Sequence, residues 1–360
     1  METTVYFATN RNLDVDEAFG FGNQYNPDGP YCVRYGAAQV AVPKDRLNGR
    51  YRLVSVSVAA ESIPGLGAAP DAPVIRGSDT IFDALRDRLR ATGADLLILL
   101  HGFGCSFQDS LERAAHLREV YGTAARPIEV AVFAWPTDGR TLVPDGTELF
   151  KLAYFNDRTD AEASREAIAR SLRRIIDYFR HLPPELACGR RMHLMAHSMG
   201  NYVLRHAVQS FARDFKPGGM PRLFENIFLM AADEDDDAFE LPHKFARLPE
   251  LAAAVHVYFA ANDAALGISD ISKGNPDRLG QAGPRTLTDL PRKVVLVDCA
   301  AVSDIDGLTD ANHQYYRSRR EVVEDVQAVL AGLPPDQVKQ RVFAAAARAF
   351  RLVPRARRKG

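Results

Sequence analysis

The sequence has few cysteines, little net charge and no long apolar run. Its four cysteines are widely spaced and form no CxxC or Cys/His array, so we expect reduced thiols and neither a disulfide framework nor a zinc site. Lys and Arg number 45 against 46 Asp and Glu, which argues against nucleic acid as the main partner because phosphate binding needs clustered basic charge. Apolar runs such as 96–100 are far shorter than the ~20 residues that span a bilayer.

Two further absences bear on location and organisation. Residues 1–11 carry neither a basic stretch nor a following apolar run, so we expect no secretory signal and a cytoplasmic protein. A long Pro/Gly/Ser-rich break is missing, which favours one elaborated domain over 1–332, with lead-in strands over 1–92 and the main core over 93–332. The composition, 46% hydrophobic and 25% charged, is that of an ordinary globular protein.

Apolar strands alternate with helices through most of the chain. Strands are predicted at 4–8, 51–60, 95–100, 128–134, 191–196, 226–231, 253–260 and 293–299. Helices are predicted at 79–91, 106–121, 157–181, 199–215, 242–251 and 317–330. This alternation predicts an α/β fold with a mostly parallel sheet covered by helices on both faces. Functional residues are then expected just after the carboxyl ends of the strands.

Ser198 lies in such a position, between the strand 191–196 and the helix 199–215. Ala196 and Gly200 are small residues two before and two after it. This arrangement is typical of a nucleophile elbow, in a form whose first glycine is replaced by alanine. The alternative is a serine that caps the helix it precedes.

The loop 101–105, which follows the strand 95–100, contains two glycines. Such a loop can direct a backbone N–H toward the nucleophile, so the predicted oxyanion-hole donors are the N–H groups of Met199 and Phe103, with Gly104 as the less favoured alternative to Phe103. His101 is interpreted as a structural residue that orients this loop.

Asp263 follows the strand 253–260, and His313 follows the last predicted strand. With Ser198 they appear in the chain order nucleophile, acid, base, in which the imidazole takes the serine proton and the carboxylate fixes its tautomer. Asp233 and Asp235 follow an earlier strand and are the alternative acids. They belong to an acidic cluster, 233–237, that is predicted to be a solvated loop.

Other histidines and one cysteine are weaker candidates. His193 and His256 lie inside strands and are expected to be core histidines. His206 lies two turns into the helix after Ser198 and is expected to point away, and His197 is expected to face away from the site. Cys105 has no histidine placed by chain order to activate it, so a thiol nucleophile is disfavoured.

Several segments in this order resemble a bacterial α/β-hydrolase family long catalogued as a domain of unknown function. The segments that carry the resemblance are Val5-Tyr6-Phe7-Ala8-Thr9-Asn10-Arg11, Tyr35-Gly36, Val40-Ala41-Val42-Pro43, His101-Gly102-Phe103, Trp135-Pro136, 196–201, 262–266 and 313–316. The resemblance covers about 3–320 and implies an α/β-hydrolase fold with Ser198, Asp263 and His313 as triad. The sequence departs from the family pattern at 104–105, where a small polar pair is expected.

The residues and the resemblance together predict a serine hydrolase that cleaves a carboxylic ester or thioester, with no organic cofactor or metal. The expected substrate is a small or lipid-like acyl ester. The alternative outside the enzymes is a binding or scaffold protein that has the hydrolase fold but no catalytic activity. Among enzymes, an acyltransferase or a peptidase could use the same triad. Trp135, Tyr154 and Phe155, near a long connection, are predicted either to line the substrate pocket or to pack that connection onto the body.

The tail, 333–360, differs in charge from the rest of the chain, because 339–360 contain eight Lys or Arg and no acid. Its apolar residues recur at helical spacing, namely Val338, Val342, Phe343, Ala346, Phe350 and Val353. We therefore expect a basic amphipathic helix. It would either contact an anionic membrane or an acidic partner, or pack on the acidic body of the protein.

Overall fold

The computed structural model describes residues 1–62, 69, 73–137, 148–267, 277–303 and 312–355. All residues predicted above for the site lie within these ranges. The last five residues of the predicted tail, 356–360, lie outside them.

The strands are numbered in chain order. They are β1 (Glu2–Thr9), β2 (Arg11–Leu13), β3 (Phe21–Tyr25), β4 (Arg34–Ala41), β5 (Arg52–Val58), β6 (Asp95–Leu100), β7 (Ile128–Ala134), β8 (Met192–His197), β9 (Phe224–Met230), β10 (Ala252–Phe259), β11 (Val294–Asp298), β12 (Arg341–Ala344) and β13 (Ala349–Leu352). Strands β2 and β3 form a separate antiparallel pair.

The helices are numbered in the same way. They are α1 (Gly77–Thr92), α2 (Phe107–Tyr121), α3 (Glu148–Ala163), α4 (Arg165–His181), α5 (Gly200–Ala212), α6 (Leu279–Ala282), α7 (Ala300–Ser303), α8 (Tyr315–Ser318) and α9 (Arg320–Leu330). Single 3₁₀ turns occur at Pro184–Leu186, Leu248–Leu251, Pro335–Gln337 and Ala345–Ala347. Among the described residues, no helix is long and apolar enough to cross a membrane.

The remaining strands form one sheet of eleven, in the order β12-β13-β11-β10-β9-β8-β6-β7-β1-β4-β5. Neighbouring strands from β13 to β1 run parallel, whereas β4, β5 and β12 are antiparallel additions at the two edges. This is the doubly covered, mostly parallel sheet of an α/β hydrolase, and the fold prediction is confirmed.

Alternate side chains of the central strands pack on opposite faces of the sheet. On β6, Leu97 and Leu99 belong to the cluster under α2 and α9. Leu100 belongs to a second cluster under α4 and α5, and Leu96 to a third under α1. Burial on both faces explains why β6 reads as a continuous apolar run.

Several elements differ from the prediction. The predicted helix 157–181 is two helices that meet at Ser164, whose hydroxyl donates to Asp160 O and accepts from the amide of Asn10. The predicted helix 242–251 contains only the 3₁₀ turn Leu248–Leu251. Strand β4 was not among the predicted strands and lies antiparallel between β1 and β5.

The helix predicted for the tail is wrong, because the tail forms strands β12 and β13, which extend the same sheet beyond residue 332. Its arginines bond to the body of the protein: Arg341 pairs with the buried Asp325, and Arg348 donates to Leu287 O and Leu290 O. Packing on the protein's own body therefore describes residues up to 355, and contact with a membrane or an acidic partner stays a prediction.

Candidate active site

Ser198 occupies a strained turn between β8 and α5. Its φ of 53° lies in the left-handed region that non-glycine residues rarely adopt. The tightness of the turn also explains Gly200, because a Cβ there would lie 2.5 Å from Leu100 O. Helix α5 begins at Gly200 with Met199 at the N-cap and no capping side-chain bond in the described structure, so Ser198 is not a capping serine.

Asp263 and His313 come together at the carboxyl edge of the sheet. Nδ1 of His313 lies 2.8 Å from Oδ2 of Asp263, and Asp263 is fully buried. The N–H of Leu266 donates to the other carboxylate oxygen over 3.2 Å. Because a carboxylate can only accept, Nδ1 of His313 carries the hydrogen, and Nε2 is left to accept a proton. Asp263 therefore fixes both the orientation and the tautomer of the imidazole.

His197 connects this pair to the elbow. Its Nε2 donates to the main-chain O of His313 over 3.1 Å, since a carbonyl oxygen can only accept. The two imidazole centroids are 4.8 Å apart, and the ring of His197 also stacks on that of Tyr316, with centroids 4.3 Å apart. Burial holds the pKa of His197 well below its usual value, so this imidazole is neutral. His313 is thus held against the residue that directly precedes Ser198.

The loop 101–105 lies against the elbow and is fixed by buried polar contacts. A Cβ on Gly102 would lie 2.9 Å from the Cβ of Ser198, so only glycine allows this close approach. The N–H of Gly104 donates to Oδ2 of Asp157 over 3.0 Å, and the N–H of Cys105 donates to Thr137 Oγ1 over 2.9 Å. The N–H of Gly104, the less favoured oxyanion donor, is therefore already engaged with a carboxylate.

Arg11 supports the same loop and was not predicted as a site residue. Its guanidinium is fully buried, and Nη2 donates to Cys105 O over 2.8 Å. Nη1 donates to Gly22 O and to the side chain of Asn23. Burial lowers the pKa of Arg11 to about 10, and the nearby charge of Asp157 opposes that shift. The signal available in the sequence was a basic residue directly after an apolar strand.

Trp135 lies beneath the loop 101–105. It is completely buried, its Nε1 donates to His101 O over 2.9 Å, and its ring stacks on that of His101 with centroids 5.1 Å apart. It supports the loop from within the core, and its predicted role in the substrate pocket stays a prediction. His101 is likewise buried with its pKa well below the usual value because of desolvation, which fits the predicted structural role.

Tyr154 and Phe155 differ in their surroundings. Tyr154 is buried, its ring centroid lies 5.9 Å from that of Phe103, and its hydroxyl donates to Oδ2 of Asp233 over 2.6 Å. The N–H of Asp233 donates to Ser198 O. Tyr154 thus contacts the loop through Phe103 and is linked to the elbow through Asp233, whereas Phe155 is 44% exposed. Their role in substrate binding stays a prediction.

Asp233 and Asp235, the alternative acids, have partners other than His313. Arg278 is buried with its Nε 3.6 Å from Asp233 Oδ1 and its Nη1 2.5 Å from Asp235 Oδ1. Lys244 lies 2.8 Å from Asp235 Oδ2. Of the acids considered, Asp263 is thus the one that the structure brings to His313.

The acidic cluster 233–237 is not a solvated loop, and that prediction is wrong. Asp233, Glu234 and Asp236 are buried among basic side chains. Glu234 pairs with Arg205 over 3.1 Å, and burial raises its pKa to about 7. The basic partners lie elsewhere in the sequence, so the local pattern could not reveal them.

The remaining candidates have structural roles. His193 and His256 bond to the two ends of the same buried amide, that of Asn226. His206 packs edge-on against Tyr202. Burial raises the pKa of the Cys105 thiol to about 11, so it is protonated at neutral pH and a poor nucleophile. Among the described residues, no group of three or more His, Cys, Asp or Glu is placed to hold a metal ion.

Comparison with known families identifies the family to which the chain belongs. The model of the family described as "Alpha/beta hydrolase of unknown function (DUF900)" matches residues 79–332. The chain belongs to this family. The match spans the sheet edge that carries Ser198, Asp263 and His313, and it confirms the resemblance inferred from the sequence. The family description gives the hydrolase fold and leaves the substrate open.

Other comparisons add little. No curated protein matches the chain. A solved structure, "Phospholipase PlaB from Legionella pneumophila in complex with thio-NAD", is 14% identical with a TM-score of 0.24, and the match covers 61% of this chain and 41% of that one. The chain thus matches less than half the length of that protein, and similarity at this level supports no inference about function.

Proposed function

We propose that the protein is a serine hydrolase that cleaves a carboxylic ester or thioester. Ser198 is the nucleophile, His313 the general base and Asp263 the acid that orients it. One observation carries the proposal: His313 is hydrogen-bonded through Nδ1 to the buried Asp263, and its main chain is bonded to the residue preceding the strained Ser198. Imidazole, carboxylate and serine at one sheet edge are the parts that acyl transfer requires.

In the proposed reaction, Nε2 of His313 takes the proton of the Ser198 hydroxyl while its oxygen attacks the acyl carbon. The N–H groups of Met199 and Phe103 donate to the oxyanion of the tetrahedral intermediate. Collapse of that intermediate expels the alcohol or thiol, which takes the proton from His313. A water molecule activated by the same imidazole then attacks the acyl-enzyme and releases the acid, which regenerates Ser198.

The geometry supports Phe103 over Gly104 as the loop donor. The N–H of Gly104 donates to the carboxylate of Asp157, so using it for the oxyanion would break a charge-assisted hydrogen bond. Gly102 brings this loop within van der Waals contact of Ser198. The same loop carries Phe103, and we therefore infer that its backbone N–H is the loop donor.

A fluorophosphonate probe tests the proposal, together with activated esters of graded acyl length. We expect probe labelling and ester hydrolysis at neutral pH by the parent protein, and loss of both in Ser198→Ala. Ser110→Ala is the matched control, because Ser110 is a buried serine of α2 away from the site, and it should be labelled like the parent. Folded parent protein that is neither labelled nor active would instead favour the non-catalytic scaffold.

A further inference from the structure

An apolar cavity lies between α1 and α4 on one face of the sheet. Its volume of about 100 Å³ is several times the space that one water needs. It separates the core cluster under α1 from the larger cluster under α4 and α5. The cavity is distinct from the Ser198 site, since none of Ser198, Asp263 or His313 is among its lining residues.

The cavity follows the direction of a central strand. Leu96, Ile98 and Leu100 of β6 all line it. Four residue steps of about 3.3 Å give it a length of about 13 Å. Ile98 and its neighbour on β7, Ala131, are only half-buried although both belong to central strands. An uncovered, elongated strip of a central sheet fits an extended chain better than a compact group.

The polar groups of the wall are already satisfied by one another. The hydroxyls of Tyr35 and Ser171 lie 3.1 Å apart, and Ser171 also donates to Ala167 O. The hydroxyl of Tyr178 donates to Asp83 over 2.8 Å and accepts from Arg86 over 2.9 Å. An ordered water needs two to four polar partners, so the interior favours an apolar occupant over water.

One end of the cavity is exposed and basic. Phe179 and Arg190 line the cavity near the start of β8, and Phe179 is 40% exposed. Arg190 is also exposed, and within the described part of the chain its guanidinium has one hydrogen bond, from Nη1 to Gly93 O. The remaining N–H groups suit a carboxylate. Along the solvent side, the two helices are bridged by Arg174 and Asp79, 2.5 Å apart.

We propose that this cavity binds a medium-chain fatty carboxylate, with its alkyl chain along β6 and its carboxylate at Arg190. The elongated shape and apolar lining of the cavity favour an alkyl chain, and the exposed guanidinium of Arg190 favours a negatively charged head group. The proposal does not depend on ester hydrolysis at Ser198. A carboxylate that bound at the Ser198 site instead would be unaffected by changes in this cavity.

Calorimetric titration with octanoate, and with octanol as its uncharged counterpart, tests the site. We expect saturable binding of both by the parent protein and by Ser198→Ala. Ala131→Leu, which fills the cavity from β7, should weaken both ligands about tenfold or more, whereas Ala254→Leu on β10 outside the cavity should not. Arg190→Gln should weaken octanoate about tenfold and leave octanol unchanged, with the exposed Arg126→Gln as control.

Phe82→Trp provides a second means of filling the cavity, from α1, if Ala131→Leu does not fold. Ester hydrolysis should persist in the cavity variants, which separates this site from the proposed catalytic one. Two results would overturn the proposal: no saturable binding of octanoate to folded parent protein, or binding that remains intact in every folded cavity-filling variant. Failure of the fluorophosphonate test alone would leave the octanoate result standing.

Discussion

His197 and His313 are linked through the main chain: Nε2 of His197 donates to the carbonyl O of His313 over 3.1 Å. The donor precedes the candidate nucleophile by one residue, and the acceptor belongs to the candidate base. This bond holds the segment that carries the base in a fixed position relative to the elbow. His197 is therefore a positioning residue in the proposed mechanism.

His197→Phe should lower kcat about tenfold with little change in KM. Phe keeps a ring against Tyr316 but leaves the carbonyl of His313 without its donor, a loss of about 1–1.5 kcal/mol. His197→Gln, which places an amide N–H near the position of Nε2, should recover most of the activity. Steady-state kinetics on one activated ester provide the comparison, and equal loss in both variants would point to packing and not to the hydrogen bond.

Arg11→Met should also reduce kcat, by a different route. The substitution removes the donor to Cys105 O, so the loop that carries Phe103 loses one of its buried contacts. A misplaced oxyanion donor costs about 10²-fold or more in turnover. We expect kcat to fall by a larger factor than KM rises. We also expect a lower thermal unfolding temperature. The exposed Arg50→Met serves as control, and full activity in Arg11→Met would show that the loop is held without it.

Asp263→Asn should be far more damaging than Asp233→Asn. Loss of the carboxylate allows the wrong tautomer of His313, and an equivalent change in serine proteases costs about 10⁴-fold in kcat. Asp233 instead accepts from Tyr154 and lies near Arg278, so its loss should reduce kcat by about tenfold or less. Measured kcat values for both variants, checked for folding by circular dichroism, decide between the two acids. The reverse ranking would exclude Asp263 as the orienting carboxylate.

The placement of the candidate site residues at one sheet edge could be predicted because each comes after a parallel strand: Ser198 directly after β8, Asp263 soon after β10, and His313 further along the chain after β11. In a parallel sheet those strand ends meet at one edge, so chain order and strand pattern were enough to select Ser198, Asp263 and His313. The contacts of Arg11 with Cys105 and of Asp157 with Gly104 could not be found in this way, because they join residues that are 94 and 53 positions apart in the sequence, and no local periodicity reveals them. The partners of the acidic cluster were hidden for the same reason.

The errors in the fold also have physical causes. In β4, Gly36, Ala37 and Ala38 give neither strong β-propensity nor clear alternation, and pairing on both sides makes the strand. In the tail, Val342 and Phe350 fit a helical period. The turn at Arg348, with φ of 48°, instead folds the segment back into a hairpin.

Glu234 should make stability depend on pH. Burial raises its pKa from 4.5 to about 7, so the folded state holds its proton more tightly than the unfolded state. The stability present below about pH 4.5 is therefore lost as the pH rises to about 7, by an amount on the order of 3 kcal/mol. Urea unfolding at several pH values should show a flatter profile for Glu234→Gln than for the parent or the exposed control Glu225→Gln. An unchanged slope in Glu234→Gln would assign the pH dependence to other groups.

The tail should be required for folding stability because of the ion pair between Arg341 and Asp325. Both side chains are fully buried, their closest N–O distance is 2.7 Å, and the hydroxyl of Tyr258 donates to the same carboxylate. Arg341→Met would leave that carboxylate buried without a cation, which typically costs about 3–5 kcal/mol. Arg351 pairs with Asp298 at the surface over 3.3 Å, so Arg351→Met should cost less than about 1 kcal/mol. Urea unfolding of both variants measures the difference, and equal costs would mean that β12 contributes no more to the core than an exposed edge does.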